Sequence, residues 1–145
     1  MNDFQERLQE LLEERSLSRF QLAETLNITS TTINGYFNKN YYPAIDIALK
    51  FSKYFNCSLD YLFGLSNERH TKYHVRVDDV LINFNRNFKQ LIKENNLTVA
   101  KAMRELGMSE YNYYRWQAGK FPKTYNLLTI AQTFEVGLDW LLSEH

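Results

Sequence analysis

The residues most able to do chemistry are the hydroxyl- and amide-bearing side chains of residues 29–34, TSTTIN. Hydroxyl and carboxamide groups both donate and accept hydrogen bonds, so this segment can recognise a polar surface without carrying charge. Groups for catalysis are sparse, because the chain contains no glycine-rich phosphate loop and no convincing set of nucleophile, base and acid. Cys57, His70 and His74 lack a fourth ligand and a paired cysteine. The sequence therefore predicts binding rather than enzyme activity, with no cofactor, no metal and no small-molecule substrate.

Composition favours a folded, all-helical chain. Hydrophobic residues make up 44% and charged residues 23% of the 145 residues, which excludes a disordered chain. With only five glycines and two prolines, few turns and sheet breaks can be built. Lys plus Arg and Asp plus Glu number 17 each, so bulk charge cannot hold this chain to nucleic acid and a local patch would be needed. A single cysteine, a charged N-terminal stretch and the lack of a long apolar run predict a cytoplasmic protein that does not enter a membrane.

The chain repeats itself at a distance of about 80 residues. A shift of 80 residues, reduced to 79 after a one-residue gap, aligns these pairs: Phe4/Phe84, Leu11/Leu91, Leu26/Leu106, Pro43/Pro122, Leu59/Leu138 and Asp60/Asp139. Both prolines of the chain fall on each other, which chance matching of apolar positions would not produce. The repeat predicts two domains, residues 1–65 and 80–145, joined by a linker at residues 66–79.

The linker, SNERHTKYHVRVDD, has no helical apolar period and is predicted to be a solvated connector. Val75 and Val77 alternate with charged residues. A short strand that pairs with a second chain is therefore the alternative.

Each copy is predicted to contain five short helices. The predicted helix caps are Asp3, Ser18 in a capping box with Gln21, Thr29 and, in the second copy, Ser109. Asn27 and Gly107 occupy equivalent tight turns that need a residue in the left-handed conformation. Pro43 and Pro122 stand just before the fourth helix, where a missing amide donor is harmless. A short helix, a three-residue turn and a second short helix form the helix-turn-helix layout.

Two pairs of segments carry a family resemblance. They are LSRFQLAETLNITSTTINGYFNKNYYP and FSKYFNCSLDYLFGL in the first copy, and LTVAKAMRELGMSEYNYYRWQAGKFPK and AQTFEVGLDWLL in the second. Each copy resembles the lambda-repressor/Cro-like, or Xre-type, helix-turn-helix DNA-binding domain. The resemblance implies an all-α fold of two tandem five-helix domains. It also implies a bacterial or phage-type transcriptional regulator, a repressor that binds double-stranded operator DNA.

In this family the second helix of the motif lies in the major groove and its first turns meet base edges. The resemblance places four residues of the first copy at the bases: Ser30, Thr31, Thr32 and Asn34. Five further residues are expected at phosphates: Arg19, Thr29, Asn38, Lys39 and Asn40. The family usually has glutamine where this chain has Arg19, and arginine can still reach a phosphate from there.

The second copy leaves three alternatives open, namely DNA reading, a dimer or partner surface, or neither. Its candidate residues are Glu110, Tyr111, Tyr114, Arg115, Gln117 and Lys120. Arg115 and Lys120 favour DNA, whereas Glu110 would repel phosphate. Val99 replaces Arg19 and cannot hold a phosphate. Exposed aromatic side chains are enriched at protein interfaces.

Two arrangements on DNA remain open. If the first copy alone reads DNA, we expect a homodimer on a palindromic operator, whereas two reading copies in one chain predict an asymmetric site. The rival function is a protein-interaction module, antitoxin- or inhibitor-like, that uses the same fold to bind a protein partner.

Overall fold

The structure, a computed structural model, describes residues 2–39 and 41–145, and the chain divides into two compact units. Unit 1 comprises residues 1–71 and unit 2 comprises residues 72–145. Within the described residues all regular structure is helical and no β-strand occurs, so the predicted all-α fold class is confirmed. The boundary between the units falls inside the segment predicted to be a linker.

The described part of each unit contains five α-helices. Those of unit 1 are α1 (Asp3–Glu14), α2 (Arg19–Leu26), α3 (Ser30–Asn38), α4 (Ile45–Phe55) and α5 (Leu59–Leu62). Unit 2 begins its regular structure with a 3₁₀ turn (Val77–Asp79) and continues with α6 (Val80–Glu94), α7 (Val99–Glu105), α8 (Glu110–Gln117), α9 (Thr124–Thr133) and α10 (Leu138–Leu142). No helix among the described residues is both long and apolar enough to cross a membrane.

The helix starts follow the predicted capping chemistry with one exception. Ser18 Oγ accepts from the Gln21 amide at 3.0 Å while Gln21 Oε1 accepts from the Ser18 amide at 2.9 Å, which confirms the capping box of α2. The predicted caps of α3 and α8 are also confirmed. The prediction that Asp3 caps α1 is wrong, because Asn2 occupies that position. Asn2 completes its own capping box with Gln5, so the helix begins one residue earlier.

In each unit four of the described residues have positive φ, and three of the four form pairs with residues of the other unit. The predicted left-handed turn residues are confirmed, with φ of 54° at Asn27 and 70° at Gly107. The three pairs, separated by 80, 80 and 79 residues, are Ser16/Asn96, Asn27/Gly107 and Asn56/Glu135. Left-handed φ is uncommon for residues other than glycine, and asparagine tolerates it best. The two units therefore change direction at corresponding points of the chain.

The core of unit 1 is built on Phe4 of α1, which is fully buried. Its ring lies 5.8 Å from that of Tyr36 at an interplanar angle of 83°, an edge-to-face pair, and 6.2 Å from Phe51. Next to Phe4, the buried Gln5 donates from Nε2 to the main-chain carbonyl of Tyr36. These contacts fix α1 against the end of α3.

The core of unit 2 has the same plan around the fully buried Phe84 of α6. Its ring lies 5.5 Å from that of Trp116 at 76°, again edge to face. Asn85, next to Phe84, donates from Nδ2 to the main-chain carbonyl of Trp116 at 3.0 Å. Asn87, fully buried, additionally binds the carbonyls at the end of α10, including that of Leu141 at 2.9 Å.

In the first part of the predicted linker, Arg69 contacts unit 1. Arg69 accepts the Ser58 amide at its main-chain carbonyl, at 2.7 Å. Its guanidinium pairs with the Glu14 carboxylate at 2.6 Å. Further along, the Tyr73 ring lies 5.7 Å from that of His145, within unit 2. A strand at Val75 and Val77 is not formed, and Val77 instead begins the 3₁₀ turn.

Candidate nucleic-acid interface

The orientation of α3 is set by its two buried residues, Ile33 and Tyr36. Because an α-helix turns by about 100° per residue, burying these two positions directs the intervening and preceding side chains outward. Thr31, Thr32 and Asn34 are accordingly exposed. Burial, with a smaller contribution from the Asp46 carboxylate, raises the pKa of Tyr36 to about 12. This anchor of α3 therefore stays neutral across the physiological range.

The start of α3 is held by a pair of hydroxyl groups. Thr29 Oγ1 accepts the Thr32 amide at 3.2 Å and lies 2.8 Å from Thr32 Oγ1, with either hydroxyl as donor. Thr32, predicted to meet bases, is thus already engaged by the cap. Ser30, the first residue of the helix, is half-buried. Thr31 and Asn34 remain as the exposed predicted base contacts that lie away from the cap.

A shallow depression of about 460 Å³ runs along α3 and the loop after it. It brings together five of the predicted residues, Thr31, Thr32, Asn34, Asn38 and Lys39. Gly35, Tyr36 and the exposed Tyr41 complete its wall. A Cβ added to Gly35 would meet Tyr41 Cδ2 at 3.9 Å, which is ordinary van der Waals contact. Crowding inside the unit therefore does not require glycine at this position.

Arg19, predicted to bind a phosphate, is the first residue of α2 and is half-exposed. Its guanidinium Cζ lies 3.8 Å above the centre of the Phe37 ring, a cation–π contact that joins α2 to α3. Stacking covers a face of the guanidinium plane and fixes its position, while hydrogen-bond donors lie along the edge of that plane. The side chain is therefore held in place over the Phe37 ring.

Two of the other predicted phosphate contacts, Asn38 and Lys39, lie at the C-terminal end of α3. Asn38 ends the helix and Lys39 caps it, and both are exposed. Thr29 lies at the start of α3, where its hydroxyl caps the helix. Asn40 lies outside the described residues.

Two exposed aromatic residues near this surface were missed in the sequence analysis. Phe20 is 61% exposed and Tyr41 is 54% exposed. The helical spacing of the inward residues Leu22 and Ala23 places Phe20 on the outer face of α2, so periodicity could have revealed it. Tyr41 follows the third helix in a segment without periodicity and carried no such signal.

Unit 2 presents different chemistry on α8. Tyr113 and Trp116 are buried, whereas Tyr111 is 67% and Tyr114 is 54% exposed. The Tyr114 hydroxyl donates to Glu110 Oε1 at 3.2 Å, and this hydrogen bond is the main reason that the pKa of Tyr114 is raised. Arg115 Cζ lies 5.6 Å from the centre of the Tyr111 ring.

The remaining candidates of unit 2 do not share that outward face. Gln117 is half-buried and donates from Nε2 to Asn85 Oδ1 at 3.1 Å, so its amide is directed toward α6. Lys120 is exposed in the loop after α8. Val99 begins α7 as Arg19 begins α2, without a polar group to offer.

The two units carry net charges of opposite sign. Unit 1 contains seven Lys and Arg against nine Asp and Glu, and unit 2 contains ten against eight. The opposite signs cancel over the whole chain. In the portion of the chain that the structure describes, no group of three or more His, Cys, Asp or Glu residues is arranged to hold a metal ion.

The helix-turn-helix family model matches residues 8–62, which span most of α1 and all of α2–α5. An uncharacterized HTH-type transcriptional regulator of Rickettsia conorii is 40% identical over 57 residues, covering 37% of this chain and 52% of the relative. A second such protein, of Rickettsia prowazekii, is 39% identical over 57 residues, covering 37% of this chain and 62% of the relative. The chain thus spans about half to three-fifths of the length of these relatives. No solved structure matches the chain.

Residues 8–62 therefore carry a helix-turn-helix domain, as the resemblance of the first copy predicted. The chain is similar, over this region, to proteins named as HTH-type transcriptional regulators. The match does not extend into unit 2.

Proposed function

We propose that this chain is a non-enzymatic, sequence-specific regulator of transcription that places α3 of unit 1 in the major groove of double-stranded DNA. The observation that carries the proposal is the division of α3 into an inner side and an outer side. Ile33 and Tyr36 anchor it in the domain, while Thr31 and Asn34 project from the opposite surface. In a helix-turn-helix domain this helix is the one that meets base edges.

The side chains on the outer surface suit base recognition. The major groove is about 12 Å wide and admits one α-helix. The Asn34 carboxamide can pair with the N6 and N7 positions of adenine, and the Thr31 methyl and hydroxyl can meet a thymine methyl or a polar base edge. Neither residue is charged, so neither is repelled by the phosphates beside the groove.

Phosphate contacts on both sides of α3 would fix its register. The Arg19 guanidinium, stacked on Phe37, supports a contact at the start of α2. Main-chain amides at a helix start favour the same ligand. Asn38 and Lys39 would contact the backbone beyond the other end of α3. With an excess of two acidic residues in unit 1, affinity depends on these few groups and falls steeply with salt.

We further infer that unit 2 is a divergent copy of the same domain. Corresponding positive-φ turns and the edge-to-face pairs Phe4–Tyr36 and Phe84–Trp116 support this inference. In addition, the amide bonds from Gln5 and Asn85 to the ends of α3 and α8 occur at positions 80 residues apart. Side chains of unrelated folds would not reproduce these contacts at one spacing.

The regulatory effect we propose is repression. A domain seated in the groove covers about one helical turn of the duplex, and a bound protein excludes other proteins from the DNA it covers. Repression by occlusion needs no contact beyond DNA binding itself.

The test is selection of bound fragments from random duplex DNA with the full chain, followed by affinity measurements on the selected site. Arg19→Ala should weaken binding to all sequences alike and lower the salt dependence by about one phosphate contact. Asn34→Ala should cost about 1–3 kcal/mol on the selected site and relax preference at one base pair. Lys53→Ala, which removes an exposed cation of α4, is the matched control and should leave both properties unchanged.

Absence of duplex binding at low salt would overturn the proposal in favour of a protein-interaction module. Equal losses in Arg19→Ala and Lys53→Ala, with Asn34→Ala unaltered, would show that bulk charge, not the α3 surface, holds the DNA.

A further inference from the structure

The loop after α8 and the start of α9 expose lysines and aromatic rings close together. Four side chains of this segment are exposed: Lys120, Phe121, Lys123 and Tyr125. Pro122 and Thr124, which lie between them, are buried. The backbone of Lys123 is extended, with φ of −68° and ψ of 147°. Because successive side chains of extended backbone point to opposite sides, burial of Pro122 directs Phe121 and Lys123 outward.

No carboxylate side chain lies in this part of the sequence. Residues 111–134 contain no aspartate or glutamate, and they contain three cations, Arg115, Lys120 and Lys123. Within the described residues no salt bridge involves Lys120 or Lys123. The ammonium groups of these two lysines can therefore pair with an anionic partner without breaking an existing ion pair.

Unit 1 has the same backbone at the matching place but different side chains. At the shift of 79 residues, Lys123 corresponds to Ala44, and Tyr125 corresponds to Asp46. Ala44 is extended, with φ of −61° and ψ of 157°, and it directly precedes α4 as Lys123 directly precedes α9. Both Ala44 and Asp46 are exposed. The two positions therefore face outward in each unit, and only in unit 2 do they carry a cation and a ring.

We propose that residues 120–125, named here the lysine–aromatic segment, bind a single strand of nucleic acid. Bases would stack on the rings of Phe121 and Tyr125, which are 41% and 66% exposed. The ammonium groups of Lys120 and Lys123 would pair with phosphates of the same strand. Proteins that bind single strands combine these two contacts, because every base has an aromatic face and every phosphate a negative charge.

The length of the segment fits a short stretch of strand. From Phe121 to Tyr125 the chain spans at most about 14 Å. This is the length of about four nucleotides at the ~3.4 Å rise of a stacked strand. Since few nucleotides are held, we expect weak binding that falls with salt. The proposal goes beyond duplex recognition by α3 and does not depend on it, because it concerns residues of unit 2 and an unpaired strand.

Duplex DNA suits the lysine–aromatic segment less well than a single strand does. Paired bases present only their edges to the grooves, so a ring can lie on the face of a base only where that base is unpaired. Entry of α8 into a groove would also bring the Glu110 carboxylate, in the first turn of α8, toward the phosphates, where like charges repel.

A protein partner also suits this segment less well. Aromatic residues are enriched in protein interfaces, but lysine is depleted there relative to the rest of the surface. The lysine–aromatic segment has two exposed lysines among its four exposed residues. Cations interleaved with rings, without a carboxylate nearby in sequence, match a partner that is both polyanionic and aromatic.

Fluorescence anisotropy of the full chain with labelled oligothymidylate and oligouridylate, each of about ten nucleotides, tests the proposal at low salt. Binding of either oligonucleotide supports it, and the tighter of the two identifies the nucleic acid. Tyr125→Leu should weaken binding about tenfold, because the stacking of one base is lost, whereas Tyr125→Phe keeps the ring and should bind as the unaltered chain does. Lys123→Ala should lower the slope of log affinity against log salt by about 0.7, which is one phosphate contact.

Lys93→Ala, which removes an exposed cation of α6, is the matched control and should leave that slope unchanged. Lys123→Ala combined with Tyr125→Asp gives unit 2 the residues of unit 1 at both positions. This chain should lose single-strand binding while circular dichroism shows an unaltered fold.

Two results overturn the proposal directly, namely no binding of either oligonucleotide at low salt and binding that survives the double substitution. Loss of duplex binding in the doubly substituted chain with unaltered single-strand binding would assign the lysine–aromatic segment to duplex DNA instead. Duplex recognition by α3 is judged separately, because Asn34→Ala should alter binding to the selected duplex and leave single-strand binding unchanged.

Discussion

Helices α3 and α8 differ in almost every outward residue but bury corresponding positions, Ile33 and Tyr36 in α3 and Tyr113 and Trp116 in α8. Both begin at a hydroxyl cap, Thr29 and Ser109, and both bury two residues three positions apart. On the exposed side, α3 carries threonine and asparagine, whereas α8 carries tyrosine, glutamate and arginine. The inner residues decide where each helix sits, and the outer residues decide what it can bind. Fold and function therefore rest on separate positions of the same short helix.

The largest effect is expected where the two units agree. Phe4→Ala and Phe84→Ala each remove a fully buried ring that packs edge to face on the third helix of its unit. Each should lower the free energy of unfolding of its unit by about 3–5 kcal/mol, measured by urea denaturation. Phe20→Ala, at a position 61% exposed, should change it by less than about 0.5 kcal/mol. A near-neutral Phe84→Ala would break the correspondence between the units.

The next effect is expected where the units differ. Thr31→Tyr combined with Asn34→Tyr gives α3 the aromatic pair of α8. Because bulky rings replace base-reading groups, binding to the selected DNA should fall by about 100-fold or more, the loss of two good base contacts. Thermal unfolding should be nearly unaltered, since both positions are exposed. Retention of specific binding would mean that α3 is not the reading helix.

A smaller effect concerns Gly35, a residue of α3 whose added Cβ would meet only the Tyr41 ring, at ordinary distance. Gly35→Ala should therefore stabilise unit 1 by about 0.5–1 kcal/mol in urea denaturation, through helix propensity alone. The same variant also tests how closely the backbone of α3 approaches the duplex. A loss of DNA affinity despite greater stability would show that the glycine admits a close approach of the backbone to the duplex, and unaltered affinity would show that it does not.

The smallest effect concerns the pH dependence of stability, which we expect to differ between the two units. The hydrogen bond from Arg69 lowers the pKa of Glu14 in the folded chain. A carboxylate with a lowered folded pKa stabilises the fold above its unfolded pKa, and this stabilisation is lost as the pH falls through the folded pKa. Glu14→Gln should remove that acid-side dependence, visible as a shallower decline of melting temperature below about pH 4.5. Glu94→Gln, at the matching position of α6, is the control. It should not make the decline of melting temperature shallower, because Glu94 accepts a hydrogen bond from Gln90 instead of from an arginine.

Local chemistry explains why much of the fold could be predicted. The capping box of Ser18 and Gln21 and the left-handed turn at Asn27 involve neighbours in sequence, so residue type alone indicates them. The position of α3 followed from the same signals, and the helix-turn-helix domain was confirmed over residues 8–62.

The errors lie where a long-range contact competes with a local signal. Asp3 and Asn2 are both good caps, and the choice of Asn2 depended on which start allows Phe4 and Gln5 to be buried. The sequence predicts Gln117 to be an outward polar residue, but its amide donates to Asn85 of α6. Arg69 belongs to the predicted linker, but its guanidinium pairs with Glu14, 55 residues earlier.

Sequence alone predicted the helix caps at Ser18, Thr29 and Ser109, the left-handed turns at Asn27 and Gly107 and the types of side chain available for binding, because these depend on neighbours along the chain. Tertiary contacts settle which polar groups point outward and which are hydrogen-bonded inside their unit. That choice depends on burial and on partners tens of residues away. The stacking of Arg19 on Phe37, which belongs to a different helix, is an arrangement that no spacing rule predicts.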